Sequence, residues 1–292
     1  MADDGDRTTQ ASDEWLRLLE QLKGAGGRII IIGSGDTGKT TLTRWLTEQL
    51  ARTGTIAWVD ADVGQSQVGP PATIGWRLVD AGVIHSYFVG DVSPAGRPAA
   101  VLSGLLRAVR DSENSGAKYT VVDTTGFVAG HEAVALKAAK VEMLAPVNVV
   151  VIGDDRPIQR LLKCWQNFPA AHITRLSTVD VIRTKSAAAR REHRSRLFAQ
   201  ALAGAQTRWV TVADKALVRG NSSAANQLPD GLLLGFVDTA RRLICLGLLQ
   251  ALDVRNRRLL VHTHPAAESA AGIIFGAMAL TTAGEQLDLE TC

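Results

Sequence analysis

Four consecutive isoleucines, Ile29 to Ile32, run directly into Gly33-Ser34-Gly35-Asp36-Thr37-Gly38-Lys39-Thr40. No other stretch of the chain restricts its fold as strongly. A short β-branched run predicts a strand buried on both faces. The octapeptide fits the pattern G-x-x-x-x-G-K-[ST], and Lys39 to Ala51 behind it has helical periodicity. Strand, glycine loop and helix in that order form a phosphate cradle. Its glycines let backbone N–H groups turn around phosphate oxygens at a helix N-terminus, where the dipole favours anions. Lys39 is suited to the β- and γ-phosphates as a mobile charge, and the Thr40 hydroxyl to Mg²⁺. Gly33, Ser34, Gly35, Asp36, Thr37, Gly38, Lys39, Thr40 and Thr41 are therefore the expected nucleotide contacts. ATP or GTP with Mg²⁺ is the expected ligand.

Around this unit, strands and helices alternate. Ser12 can cap a short helix through Leu22. "TIAWVDAD", "GVIHSYFVGD", "KYTVVDTTG" and "VNVVVIGDD" are further buried strands. Pro98–Arg110, His131–Leu144, Pro157–Asn167 and Ser186–Ala203 are helices between or after them. The fold class is α/β, a P-loop NTPase-type parallel sheet with helices on both faces. After about Thr207 the texture changes to short apolar runs spaced by polar turns ("RWVTVA", "GLLLGFVD", "LICLGLLQALD", "RRLLVHTH", "GIIFGAMAL"), which predicts a small β-rich C-terminal domain. The expected division is an acidic tail and helix over 1–27, a P-loop domain over 28–206 with an arginine-bearing helix at about 184–203, and the β domain over 207–292.

Net charge is only +3, so no global field points to a polyanion. The charge is uneven, however: between Asp154 and Gln200 ten Lys/Arg face four acids. A phosphate-binding face and a solvated helix face both fit that excess. Cys164, Cys245 and Cys292 lack metal-ligand spacing, and no leader-like opening or long apolar run is present. The expectation is a protein of a reducing, cytoplasmic compartment with no membrane partner. The opening "MADDGDRTTQ" is polar and expected to be disordered. His262 and His264 share strand spacing but have no acidic or Cys neighbours, which favours a structural or solvated pair.

Three more stretches carry chemistry. "WVDADVGQSQVGPP" ends a strand in Asp60-Ala61-Asp62, with Gln65 three residues on. One carboxylate there can orient Mg²⁺ or its water and the other can accept a hydroxyl proton, while strand-end Asp residues also serve as turn formers. "VVDTTGFVAG" presents Thr124, Thr125 and Gly126 at a turn, followed by Phe127, which either stacks on a base or anchors the core. In "RREHR", Arg190 and Arg194 are four apart on one helical face, so both guanidinium groups can meet one phosphoryl group.

As a set, these stretches resemble the polynucleotide 5′-hydroxyl kinase family of RNA-processing enzymes, which includes the kinase-like subunit of the pre-mRNA cleavage machinery and ribosomal-RNA-processing kinases. That family's P-loop G-P-x-D-x-G-K-[ST] is matched with Asp36 retained. Its D-x-D-x-G-Q element is matched by Asp60, Asp62, Gly64 and Gln65, its clasp [DN]-T-x-G-W-V-x-G by Asp123, Thr124, Gly126, Val128 and Gly130, and its lid R-R-x-x-R by Arg190, Arg191 and Arg194. The resemblance runs from about Arg28 to Leu280. Phe127 stands where the family usually has Trp, and Leu197 where a further basic residue is expected.

The resemblance implies Mg²⁺-dependent transfer of an NTP γ-phosphate to the 5′-hydroxyl of RNA, with DNA as a second acceptor. Lys39, Asp62, Arg190 and Arg194 would be catalytic, with Asp62 as base. Thr40, Asp60 and Gln65 would serve the metal. Asp62, Gln65, Thr124, Thr125, Gly126, Phe127 and Arg191 would meet the acceptor. The alternatives are an ATP-binding, non-catalytic subunit of an RNA-processing assembly and a small-molecule P-loop kinase.

Overall fold

The computed structural model describes residues 11–165, 172–178, 186–218 and 228–288. The acidic tail over 1–10, the last two residues of the expected helix Pro157–Asn167, and Asp180, Arg183, Thr184, Lys185 and Cys292 lie outside the described residues.

Helix α1 (Asp13–Leu22) begins where Ser12 Oγ accepts from the Trp15 N–H at 3.3 Å. Its buried stripe Trp15, Leu18, Leu19 and Leu22 packs with β1 (Gly27–Gly33) and α2 (Lys39–Leu50), so it joins the first core rather than standing apart. There follow β2 (Ile56–Ala61), β3 (Thr73–Leu78), β4 (His85–Phe88), α3 (Pro98–Asn114), β5 (Tyr119–Thr124), α4 (His131–Leu144), β6 (Asn148–Ile152), α5 (Arg156–Trp165), β7 (His172–Leu176) and α6 (Ala187–Ala201).

The first sheet has the order β4-β3-β2-β5-β1-β6-β7. Strands β2, β5, β1, β6 and β7 are parallel, and the apolar runs of β2, β5, β1 and β6 are buried on both faces. The expected parallel sheet is present and carries an antiparallel edge, where β3 pairs antiparallel with β2 and β4 antiparallel with β3. Asp60 explains the reversal. Its buried carboxylate accepts from the Asp62 N–H at 2.9 Å, the Gln67 N–H at 2.5 Å and the Val68 N–H at 3.0 Å. It thereby winds the segment behind β2 into a tight loop, too short for the crossover that a parallel neighbour needs. Strands β3 and β7 carry no expectation from the sequence: β3 follows closely on the Pro70-Pro71 turn, and β7 is half-exposed and lacks a continuous apolar run.

The C-terminal runs are all strands: β8 (Gln206–Thr211), β9 (Ala216–Val218), β10 (Leu232–Val237), β11 (Leu243–Asp253), β12 (Arg258–Thr263), β13 (Gly272–Leu280) and β14 (Gln286–Leu287). They form a sheet of order β14-β13-β10-β11-β12-β8, antiparallel except for β9, which lies parallel to β13. The face of this sheet carrying Leu233, Leu246, Leu248, Met278 and Leu280 packs on Ala72, Phe88 and the end of α6, through Phe198 and Leu202. Phe198 is fully buried there, a contribution of about 2–3 kcal/mol. The C-terminal half of α6 is thus fixed between the sheets, while its N-terminal half projects towards the P-loop. Arg97 Nη1 also donates to Phe275 O, and Arg242 Nε to Asp111 Oδ2, both at 2.8 Å across the same boundary.

Candidate functional site

The loop between β1 and α2 turns through two left-handed residues, Asp36 (φ 55°) and Gly38 (φ 95°). At Gly38 the conformation is one that a side chain would strain. Lys39 is 6% exposed, and its Nζ donates to Ser34 O at 2.5 Å; Thr37 Oγ1 donates to the same oxygen at 3.0 Å. Burial lowers the Lys39 pKa, the carboxylates of Asp123, Asp62 and Asp36 pull it back up, and Arg190 lowers it again. Ser34 Oγ donates to Asp155, the residue before α5. Thr41 lies in the first turn of α2.

Strand order decides which carboxylate meets Thr40. Strand β5 lies between β1 and β2, so Asp123 at its end is the direct neighbour of the P-loop. Thr40 Oγ1 donates to Asp123 Oδ2 at 2.7 Å, and Asp123 Oδ1 is buried with no hydrogen-bond partner. A hydroxyl beside an uncompensated carboxylate oxygen is the hard-oxygen set that suits Mg²⁺. Burial raises the Asp123 pKa; the Thr40 bond and the Lys39 charge oppose the rise. The sequence contained this residue inside the clasp pattern but offered nothing to set it beside Thr40.

Asp60 is placed differently from its expected metal role. Its two oxygens are engaged by the three backbone amides described above, and burial next to Asp123 and Asp62 raises its pKa well above the carboxylate range. It organises the loop that carries Asp62. Asp62 Oδ1 caps that loop, accepting from Gly64 N and Gln65 N, both at 3.1 Å. The Asp62 charge acts on Lys39, Asp123, Lys137, Lys140 and Arg194, which makes it the electrostatic centre of the site. Gln65 Nε2 donates to Gly64 O at 2.6 Å and to Arg190 O at 3.4 Å.

The turn after β5 splits the expected acceptor contacts. Gly126 is irreplaceable on steric grounds: a Cβ there would fall 2.7 Å from the Gly35 backbone N and Cα. The turn therefore lies directly against the P-loop. Thr124, expected to meet substrate, is instead fully buried, donating to Ile31 O and accepting from Lys137 Nζ, both at 2.7 Å. Its hydroxyl is used up within the fold. Thr125 Oγ1 accepts from Phe127 N at 3.2 Å, and Phe127 is partly buried against the first core.

On α6, Ser186 caps the N-terminus and Arg190 and Arg194 are half-buried on one face, with Arg191 exposed. Arg190 Nη2 bonds Asp36 Oδ2 at 2.5 Å. Burial and the neighbouring Arg191 and Arg190 charges lower the Arg194 pKa, and Asp62 opposes them. His264 caps a 3-10 turn through Ala266 N. No group of three metal-ligating side chains occurs among the described residues, and no helix among them is long and apolar enough to cross a membrane.

The family described as mRNA cleavage and polyadenylation factor CLP1 P-loop matches residues 33–202 of this chain. A polyribonucleotide 5′-hydroxyl-kinase of Methanocaldococcus jannaschii is 32% identical over 171 residues, covering 55% of this chain and 47% of that protein. Another, from Pyrococcus furiosus, is 33% identical over 150 residues, covering 48% and 42%. The chain thus spans about half the length of the curated relatives it matches. A chain in the solved wild-type Clp1p–Pcf11p complex shares the fold, with a TM-score of 0.67 at 12% identity over 90% of this chain and 77% of that one. The matched region runs from the first P-loop glycine to the end of the arginine helix, and on that ground the chain belongs to the CLP1 P-loop family.

Proposed function

We propose that this protein is a polynucleotide 5′-hydroxyl kinase, transferring the γ-phosphoryl group of ATP or GTP to the 5′-hydroxyl end of RNA, with DNA as a weaker acceptor. One observation carries the reading. Arg190 joins the motifs at a single point, through its guanidinium to Asp36 of the P-loop and through its carbonyl to Gln65 beside Asp62. Nucleotide cradle, carboxylate turn and arginine helix are therefore one site.

In this reading the P-loop amides and Lys39 hold the β- and γ-phosphates. Thr40 and Asp123 would hold Mg²⁺, which when bound offsets charge on the phosphate oxygens. Asp62 orients the 5′-hydroxyl and takes its proton as the new O–P bond forms and the β–γ bridging bond breaks, releasing the nucleoside diphosphate. Arg190 exchanges Asp36 for the transferring group, and together with Arg194 it stabilises that group's charge. The turn at Thr125–Phe127, with the part of the Phe127 ring left accessible, receives the terminal nucleotide, and Arg191 follows the backbone. Residues 28–206 carry the chemistry, and 207–292 brace the arginine helix.

The test supplies γ-labelled ATP with 5′-hydroxyl RNA and DNA oligonucleotides, with Lys39→Ala alongside. Label is expected on RNA first, reduced by about 10²–10³ in Lys39→Ala. ATP binding without label on any oligonucleotide overturns the reading in favour of a non-catalytic nucleotide-binding subunit. Label on free nucleosides alone would make the protein a small-molecule kinase.

A further inference from the structure

Helix α4 holds two lysines, Lys137 and Lys140, three residues apart and hence on one face. They are 1% and 0% exposed. Buried ammonium groups are expensive, and long lysine side chains normally reach out to water. These two do not; α4 packs between α3 and α5, with Leu136 and Leu144 in the first core.

Their partners differ. Lys137 Nζ donates to Thr124 Oγ1 at 2.7 Å and to Thr125 O at 2.6 Å. Lys140 Nζ has no hydrogen-bond partner. Neither partner of Lys137 is a carboxylate, so the contact is not an ion pair that balances charge. What it fixes is the turn. Through Thr124 the bonds continue to Ile31 O, two residues before the P-loop. Through Thr125 they continue to the Phe127 N–H, and Gly126 between them lies against Gly35. One ammonium thus locks a segment that touches the P-loop through Gly126 and carries the expected acceptor contacts Thr125 and Phe127.

We propose that Lys137 is a positioning residue of the acceptor side, holding the Thr124–Phe127 turn at its fixed distance from the P-loop. This rests on the kinase reading above for its catalytic consequence, but not for its structural one. Lys137 does not touch the transferring group; it acts through the turn.

Two readouts test it. The first is hydrogen exchange of the amides over 124–128 in the protein without nucleotide. Lys137→Met, nearly isosteric and uncharged, is expected to speed exchange at Phe127 about tenfold or more while α2 amides are unchanged. Lys137→Gln, which keeps a donor, is expected to recover much of that protection. Lys140→Met, which removes the neighbouring charge but no bond, is expected to leave it intact. The second is the kinetic split: in Lys137→Met the KM for the RNA oligonucleotide should rise about tenfold with ATP affinity within about twofold of the unsubstituted protein. Unchanged exchange in Lys137→Met, the same loss in Lys140→Met, or equal loss of ATP and RNA binding overturns the proposal. If neither Lys137 variant folds, Lys137 is a stability residue and the proposal is likewise overturned. If the unsubstituted protein labels no oligonucleotide, the kinase reading falls, and the exchange result still decides the role of Lys137 in the turn.

Discussion

At the carboxyl end of the first sheet Lys39, Asp60, Asp123, Lys137 and Lys140 are all less than a tenth exposed, whereas across the second sheet the buried polar side chains among the described residues reduce to Thr263. Both sheets bury apolar runs. Among the described residues only the first also buries charged side chains, and removing an ion from water costs several kcal/mol unless partners compensate. The second sheet shows that this fold has no architectural need for such burial. The contrast supports the proposed site: charges are retained inside where, in the kinase reading, a triphosphate and an acceptor are aligned, and are kept outside in the sheet proposed to brace the arginine helix.

The sharpest way to break the contrast is Asp123→Asn. The amide can still accept from Thr40, so the fold should persist, but the negative oxygen is lost. The Mg²⁺ concentration for half-maximal transfer is expected to rise about 10–100-fold, read by metal titration of label transfer. An unchanged metal requirement would remove Asp123 from the metal site. A smaller effect, on stability, is expected at Lys140→Met, where a buried cation without a hydrogen-bond partner is replaced by an apolar side chain. The gain should be at least ~1 kcal/mol at pH 7. Burial pushes the Lys140 pKa down to about 8. Above that value the folded chain has released a proton that the unfolded chain keeps until about pH 10.4, so this group's contribution to stability rises with pH. The advantage of Lys140→Met should therefore shrink between pH 7 and pH 10. Denaturant melts at both ends check it, and an advantage independent of pH would contradict a buried cation. The least effect is expected in the second sheet. Trp209 is 43% exposed on the edge strand β8, with the Arg258 guanidinium 4.2 Å from its ring centroid. Trp209→Ser should lower stability by less than about 1 kcal/mol and leave transfer unchanged. A drop in transfer would mean that the second sheet does more than brace.

Much of the fold was legible from the chain. The limits of α4, β11 and β13 follow directly from their apolar patterns, and the Ser12 and Ser186 caps mark where α1 and α6 begin. The site was legible in part. Glycine spacing marks the P-loop, and the four-residue interval pairs Arg190 with Arg194, because both signals are local. Asp60 and Thr124 bond inward to the fold, which no local signal shows. A strand-end carboxylate or hydroxyl looks the same in sequence whether it faces a ligand or its own backbone, and only the amides of Gln67 and Val68 and the ammonium of Lys137 decide between the two.

What the amino-acid order determined by itself was most of the elements and the presence of a P-loop, since propensity, capping and glycine chemistry act within a few residues. Tertiary structure decided which strand stands beside which. Strand β5 inserts between β1 and β2, so Asp123 rather than Asp60 meets Thr40, and α4 settles with Lys137 and Lys140 inward. Parallel strands are joined through helices on the faces of the sheet, and no local pattern records where a crossover returns. A lysine on a helix carries no mark of burial until its neighbouring helices close over it.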